Sequence, residues 1–182
     1  MLFRSLDYLA KGRFRFGMGR GLARREFDAF RGTLNETRER FDEAAPMIKE
    51  ALRTGFIEGS GKHYPQPRIE LRPRPEYDID GRVYAVASSD DSVVSAAKIN
   101  AAMVMFADRP WPQRIPSIQR HRDLVREMHG VEARPPLLAD FCVCTPTMDG
   151  APEMARKYMG KFVESNFEHY ELMGAHFASV KG

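Results

Sequence analysis

Two distinct hydrophobic periods along the chain predict its secondary structure. Residues 13–18 alternate charged and apolar side chains, as expected of a strand with one buried face. Residues 83–87 are continuously apolar, which is typical of a strand buried on both faces of a parallel sheet. Similar runs predict strands at residues 103–106 and 137–144. Four strands are therefore expected, and a segment with helical spacing follows each of them.

Apolar residues three and four positions apart predict the helices. A helix end is expected near residues 6–11, and further helices at 35–53, 93–100, 116–130 and 151 to about 174. Thr33 and Glu36 fit a capping box, and Pro46 predicts either a kink or a later helix start near Asp42. Alternating strands and helices with short connections indicate a parallel sheet with right-handed crossovers. The chain is therefore assigned to the α/β class, with about four βα units.

Residues 61–80 interrupt this alternation. Three prolines flank Ile69 and Leu71, so we expect an irregular excursion that contains a short edge strand. A closed barrel of eight βα units needs about 250 residues, whereas the chain has 182. With four βα units, residues 1–182 would therefore form a single domain that corresponds to half of such a barrel.

Composition and charge exclude several classes of protein. The mean hydropathy is −0.46, and no apolar run approaches the roughly 20 residues that span a bilayer. Residues 1–10 lack the apolar segment of a signal peptide. The net charge of +3 is too small to imply a polyanionic partner, although eight of the first 31 residues are basic and only three are acidic. We expect a cytoplasmic protein with neither a membrane nor a nucleic-acid partner.

Few side chains of the kinds that bind metals are present. Cys142 and Cys144 are the only cysteines, and on a strand this spacing would place both on one face. Such an arrangement suits neither a disulfide framework nor a metal knuckle, so we predict inert core residues. His169 and His176 lie seven residues apart on a predicted helix, but aromatic residues share that face. Packing is therefore expected there, and no metal site is predicted.

Two segments that follow predicted strands carry residue types that bind phosphate. Residues 17–21 form a glycine-rich turn that contains Arg20, and residues 88–92 (Ser-Ser-Asp-Asp-Ser) begin a predicted helix. Both segments would lie at the carboxyl ends of parallel strands, where helix N–H groups and hydroxyls bind phosphate. Arg20 would add a charge-assisted, bidentate contact. Taken singly, each segment fits a tight turn or a helix cap equally well.

An ordered set of motifs resembles the bacterial luciferase-like flavin monooxygenase family. The matching segments are residues 6–9, 12–17, 20–21, 26–27, 40–44, 86–89, 106–110 and 169–171. They span nearly the whole chain in the family's order. The family fold is a (β/α)8 barrel, so the resemblance implies that this chain corresponds to strands four to seven with their helices. Residues 1–182 are then expected to form a single partial (β/α)8 TIM-barrel domain, truncated at both ends.

The resemblance implies a flavin-dependent oxidoreductase, a monooxygenase of EC 1.14 type that uses reduced FMN and dioxygen to oxidise an organic substrate. It further implies a flavin reductase as the source of reduced flavin, and a homo- or heterodimer. By resemblance, Arg20, Ser89 and Ser92 contact the flavin phosphate. Gly21 and Leu22 match backbone beside the flavin ring, and Ser88 matches a strand-end residue whose main chain approaches it.

Some features leave other functions open. The histidine base of the luciferase branch lies on a strand that has no counterpart here, so no catalytic residue is assigned and the isolated chain is expected to be incomplete for catalysis. Gly19 stands where one branch has a reactive cysteine, and Asp90 and Asp91 would repel a phosphate unless they point outward or cap the helix. The alternatives are hydride transfer that depends on the deazaflavin F420, and an inactive structural half barrel with exposed strand edges.

Overall fold

The computed structural model describes residues 2–171, which form two compact units. The first unit comprises residues 2–20 and 38–139, and the second comprises residues 21–37 and 140–171. Along the chain the elements are α1 (Leu2–Leu9), β1 (Phe16–Met18), α2 (Arg24–Ala29), a 3-10 helix (Leu34–Glu36), α3 (Thr37–Thr54), β2 (Phe56–Gly59), β3 (Gln66–Glu70), β4 (Val83–Val86), α4 (Asp90–Lys98), β5 (Ala102–Phe106), α5 (Trp111–His129), β6 (Leu137–Ala139), a second 3-10 helix (Met148–Gly150) and α6 (Ala151–His169).

A four-stranded parallel sheet, in the order β1-β4-β5-β6, organises the first unit. Helix α4 connects β4 to β5, and helix α5 connects β5 to β6. Since parallel neighbours need such crossover connections, the alternating pattern of the sequence is the direct cause of this topology. The predicted α/β class with a parallel sheet is confirmed. Strand β1 is shorter than predicted and begins at Phe16.

The core of the first unit covers one face of the sheet. Strand residues two positions apart point into it, together with buried residues of α3 and α4. These core residues include Phe16, Met18, Val83, Ala85, Met103, Met105, Ala45, Val93 and Ala96. On the opposite face Val86 is 39% exposed and Phe106 is 50% exposed. Tyr84 and Ala102 on that opposite face are nevertheless buried. Both faces therefore contribute to the hydrophobic stabilisation of the sheet, at about 1.5 to 3 kcal/mol for each large apolar side chain that is buried.

Strand β2, which ends before residue 61, pairs with β3 inside the predicted excursion at residues 61–80 and forms an antiparallel hairpin. Helix α3 fastens the tip of this hairpin. The Glu43 carboxylate accepts hydrogen bonds from the backbone N–H groups of His63 (2.9 Å) and Tyr64 (2.6 Å). A Cβ atom at Gly61 would overlap the carboxylate group of Glu43. Only glycine therefore fits at this position while the tip remains fastened.

Helix α3 runs unbroken through Pro46, so the alternative start near Asp42 is wrong. Pro46 is exposed, and the Asp42 carbonyl that loses its N–H donor can be hydrated there. The capping box predicted at Thr33 is also wrong. A 3-10 helix follows Thr33, whose side chain makes no cap hydrogen bond. Instead the Thr37 hydroxyl donates to the Leu34 carbonyl at 2.8 Å.

Helices α5 and α6 also differ from their predicted bounds. Helix α5 begins at Trp111 rather than at residue 116, because Pro112 occupies the first turn, where a proline needs no N–H. Helix α6 ends at His169, before the predicted end near residue 174. His176 lies outside the described residues. None of the helices described is both long enough and apolar enough to span a bilayer.

The prediction of a strand over residues 137–144 is wrong beyond Ala139. Cys142 and Cys144 are exposed free thiols outside regular structure, so their interpretation as inert core residues is also wrong. Local side-chain hydrogen bonds replace a strand ladder in this segment. Asp140 accepts from the Phe141 N–H at 2.7 Å, and the Thr145 hydroxyl donates to a carbonyl two residues later at 2.6 Å.

Candidate functional site

The centre of the site is the start of helix α4, just beyond the carboxyl end of β4. Ser89 is the N-cap residue, and its Oγ accepts a hydrogen bond from the Ser92 N–H at 3.4 Å. In return, Oγ of Ser92 accepts from the N–H groups of Ser88 (3.0 Å) and Ser89 (2.8 Å). Helix geometry leaves the N–H groups of Asp90 and Asp91 without an intrahelical acceptor. This helix start therefore offers backbone donors and a partial positive charge to an anion.

Arg38, in the first turn of α3, reaches this helix start. Its Nη2 donates to Oγ of Ser89 at 3.4 Å, and its Nη1 donates to Oγ of Ser95 at 3.5 Å. The Ser95 hydroxyl in turn donates to Oδ1 of Asp42 at 2.5 Å. The sequence analysis missed Arg38, because nothing in the local pattern separates it from the solvent-facing arginines of the same helix. Only the folded arrangement of α3 against α4 identifies it.

Arg20 adds a second guanidinium to the same region. It is half-buried, lies shortly after the end of β1, and is the last residue of the first stretch of chain in the first unit. Burial lowers the pKa of Arg20, the positive charge of Arg38 lowers it further, and Asp91 raises it. Because two like charges act on each other here, an anion bound between them would relieve their repulsion.

The acidic residues of the helix start have cationic partners. Asp90 is exposed and forms an ion pair with Arg120 of α5, with 3.3 Å between Oδ2 and Nη1. Asp91 acts electrostatically on Arg20. The Asp90 carboxylate is therefore exposed and paired with a cation, as the sequence analysis required if a phosphate is to bind at this helix start. The repulsion expected between these acids and a phosphate is correspondingly reduced.

The six predicted binding residues divide between the two units. Ser88, Ser89 and Ser92 form one hydrogen-bonded group in the first unit, which also contains Arg20. Gly21 and Leu22 begin the second unit. Gly21 has φ +83°, and a Cβ atom there would lie 2.9 Å from the Phe27 ring. Packing within the second unit therefore already requires glycine at this position, and Leu22 is partly exposed.

The histidine expected to pack on the last helix makes a polar contact in the second unit. Nε2 of His169 lies 3.2 Å from Oε1 of Glu26. In the same unit, Glu171 accepts two hydrogen bonds from Arg24, at 2.7 and 2.9 Å. Across residues 2–171, no cluster of three or more potential metal ligands occurs.

A parallel α/β sheet with an anion-binding helix start at the carboxyl end of a strand is typical of proteins that bind phosphorylated cofactors. Comparison with known protein families gives the particular class. Residues 1–180 match the family described as luciferase-like monooxygenase, and the chain belongs to this family. The resemblance drawn from the ordered sequence motifs is thereby confirmed.

Curated relatives include both chains of alkanal monooxygenase. The alpha chain of Photorhabdus luminescens is 24% identical over 161 residues, which cover 88% of this chain and 45% of that protein. The beta chain of Vibrio harveyi is 24% identical over 169 residues, which cover 92% of this chain and 52% of that protein. The chain therefore spans about half the length of these relatives.

A solved structure supports the fold. The crystal structure of monooxygenase RslO1 from Streptomyces bottropensis matches with a TM-score of 0.71 and 21% sequence identity. The match covers 92% of this chain and 54% of that chain. At this level of identity the similarity shows the fold alone.

Proposed function

We propose that this chain provides the flavin-phosphate site of a luciferase-like monooxygenase of EC 1.14 type, which uses reduced FMN and dioxygen to oxidise an organic substrate. The observation that carries the proposal is the contact of Arg38 with Ser89 at the start of α4, with the charge of Arg20 acting on the same region. Membership of the family supplies the class of reaction. The site supplies the reason for a phosphorylated cofactor.

The residues present fit a phosphate monoester. Two guanidiniums and the start of α4 match its two negative charges, and Nε of Arg38 is a buried donor without a hydrogen-bond partner among the described residues. A hydrogen bond between charged groups contributes about 1.5 to 3 kcal/mol. Several such bonds to one phosphate would therefore favour FMN strongly over riboflavin, which lacks the phosphate.

Each residue has a defined task under this proposal. Arg20 and Arg38 neutralise the phosphate, and Ser89 and Ser92 shape the helix start that receives it. Ser92 does so through its hydroxyl, which donates to the Ser89 carbonyl at 2.7 Å. Ser88, Gly21 and Leu22 are assigned to the flavin ring on the basis of family resemblance. When bound, reduced FMN would supply the electrons for the reaction with dioxygen. The protein's own contribution is to hold the phosphate and to orient the ring.

The decisive experiment is an anaerobic titration with oxidised and reduced FMN, followed by flavin fluorescence and absorbance. In Arg20→Ala and Arg38→Ala variants, we expect FMN affinity to fall about 10- to 100-fold while riboflavin affinity stays unchanged. Arg53→Ala is the matched control, because Arg53 lies at the other end of α3 in an exposed ion pair with Glu50. Equal losses for FMN and riboflavin, or no binding of FMN at all, would contradict the proposal.

The same titration tests F420-dependent hydride transfer. The phosphate of F420 is a diester with a single negative charge, so the two arginines match the FMN monoester better. Binding of F420 in preference to FMN would favour the hydride-transfer reaction. Binding of neither cofactor would favour a structural role.

Family membership also supports proposals about the organisation of the protein. Residues 1–182 are proposed to form one partial barrel domain in which residues 61–80 are an excursion. A homo- or heterodimer is proposed, and the occurrence of alpha and beta chains among the relatives supports the heterodimer. A flavin reductase would supply reduced FMN, and the cytoplasm is the proposed location.

A further inference from the structure

We propose that Asp42 and Ser95 are positioning residues for Arg38, which hold its guanidinium against the start of α4 in the orientation that receives a phosphate. This inference rests on the proposed function, because it concerns how the same site is built. It assigns a task to two residues that do not themselves contact the cofactor.

Ser95 is a buried hydroxyl between two helices. It lies in the middle of α4, is 4% exposed, and donates to Oδ1 of Asp42 at 2.5 Å. A hydroxyl has one proton to donate, and here it is directed to the carboxylate. The oxygen lone pairs are therefore free to accept from Nη1 of Arg38 at 3.5 Å. A continuous chain of hydrogen bonds thus runs from Arg38 through Ser95 to Asp42.

The two contacts of Arg38 on α4 define the plane of its guanidinium. Nη1 is held by Ser95 and Nη2 by Ser89, six residues apart on the same helix. Both contacts are longer than an ordinary N–H···O hydrogen bond, but two of them restrict the rotation of a planar group more than one does. Loss of Ser95 would leave Arg38 with one side-chain hydrogen bond, to Ser89, among residues 2–171. The affinity for phosphate would then include the cost of reordering this side chain.

The Asp42 carboxylate fixes the direction of the Ser95 hydroxyl proton. Without its carboxylate as an acceptor, the Ser95 hydroxyl proton is free to turn towards Arg38, where it would oppose the N–H donor. Asp42 also places a negative charge one helical turn from Arg38 without contacting Ser89. The carboxylate is linked to Arg38 through Ser95, so its negative charge partly balances that of the arginine and leaves the face at the start of α4 to the ligand.

The test is a set of double-mutant cycles in the intact protein, measured as dissociation constants for FMN and for riboflavin. We expect Asp42→Ala and Ser95→Ala each to weaken FMN about 5- to 30-fold, with riboflavin unchanged. In an Arg38→Ala background, neither substitution should weaken FMN further. Asp42→Asn keeps an acceptor for Ser95 and should recover part of the lost affinity. Glu50→Gln, on the exposed face of α3, is the control and should change neither constant.

The outcomes separate the two proposals. If Arg38→Ala leaves FMN binding unchanged, the proposed function fails. If Arg38→Ala weakens FMN but Asp42→Ala and Ser95→Ala do not, the positioning inference is overturned while the proposed function stands. Equal losses for FMN and riboflavin would indicate a purely structural role, which also overturns it. Thermal unfolding of every variant identifies misfolded proteins, and Asp42→Asn provides the milder substitution where Asp42→Ala does not fold.

Discussion

Protonation of His121 is expected to weaken the fold in mildly acidic solution. The His121 side chain on α5 is 2% exposed, and its Nε2 lies 3.0 Å from the carbonyl oxygen of Ala101, just before β5. Because a carbonyl only accepts, Nε2 carries the proton of the neutral ring, and further protonation occurs at Nδ1. Burial lowers the pKa of His121, the hydrogen bond to Ala101 raises it, and Arg134 lowers it, with a net shift downward.

The direction of the pKa shift gives the sign and the size of the effect. In the unfolded chain this histidine titrates near pH 6.5. Below that pH the unfolded state binds up to one proton more than the folded state, so the free energy of unfolding falls by at most about 1.4 kcal/mol per pH unit. The stabilisation is complete above pH 6.5 and is lost as the pH falls towards the folded pKa. For a chain of this size, this group should lower Tm by at most roughly 3 to 6 °C per pH unit.

The assay is thermal unfolding, followed by circular dichroism, between pH 5 and pH 7.5. His121→Gln keeps an N–H donor for Ala101 and removes the titrating ring, so its Tm should depend less on pH than that of the wild type. His129→Gln is the matched control on the same helix, since Nε2 of His129 also lies near a carbonyl oxygen, at 2.8 Å from Ala97. Parallel curves for the wild type and His121→Gln would refute the reasoning.

Three further predictions follow from burial and hydrogen bonding. In chemical denaturation, Met105→Ala should lower the free energy of unfolding by about 2 to 5 kcal/mol, because Met105 is fully buried. Met128 is 44% exposed, so Met128→Ala should change it by less than about 0.5 kcal/mol. Cys142 and Cys144 should react with a thiol reagent in the native protein, and slow reaction until denaturant is added would contradict their exposure. Glu43→Gln should speed amide hydrogen exchange at the hairpin tip. The hydrogen bond from the His63 N–H is the largest cause that lowers the pKa of Glu43. In the wild type, the amides at the tip should therefore stay protected from exchange until the pH falls below the usual glutamate range. Unchanged exchange in the variant would contradict the role of Glu43 at the hairpin tip.

The parallel sheet was predictable because it depends on local patterns. The apolar run at β4 and the serines that follow it specify a buried strand end and a capped helix within ten residues. Those signals need no knowledge of distant contacts. The hairpin strand β2 was not predictable, because the glycines around it also fit a helix end, and their close neighbours come from distant parts of the chain: Pro75 and Arg4 at Gly55, Met47 at Gly59 and Glu43 at Gly61.

The candidate site was predictable only where its residues belong to turns and helix caps. Arg20 and Ser89 stand in segments whose composition already indicates phosphate chemistry. Arg38 and Asp42 are surface-type residues in a charged helix, and their task depends on α3 packing against α4. For Cys142 and Cys144, the local pattern instead predicted structure that the fold does not contain. The strand-like pattern at residues 137–144 does not show whether a neighbouring strand is available to form hydrogen bonds along its whole length.

The order of strands in the sheet has a consequence for the kinetics of folding. Only residues 87–101 separate β4 from β5, and residues 107–136 separate β5 from β6, but residues 19–82 separate β1 from β4. Closing the longest of these loops costs about 1.3 kcal/mol more in chain entropy than closing the shortest. Contacts that are close in sequence form faster than distant ones. Strands β4, β5 and β6 are therefore expected to assemble first during refolding, and β1, which leads to Arg20, to join the sheet last.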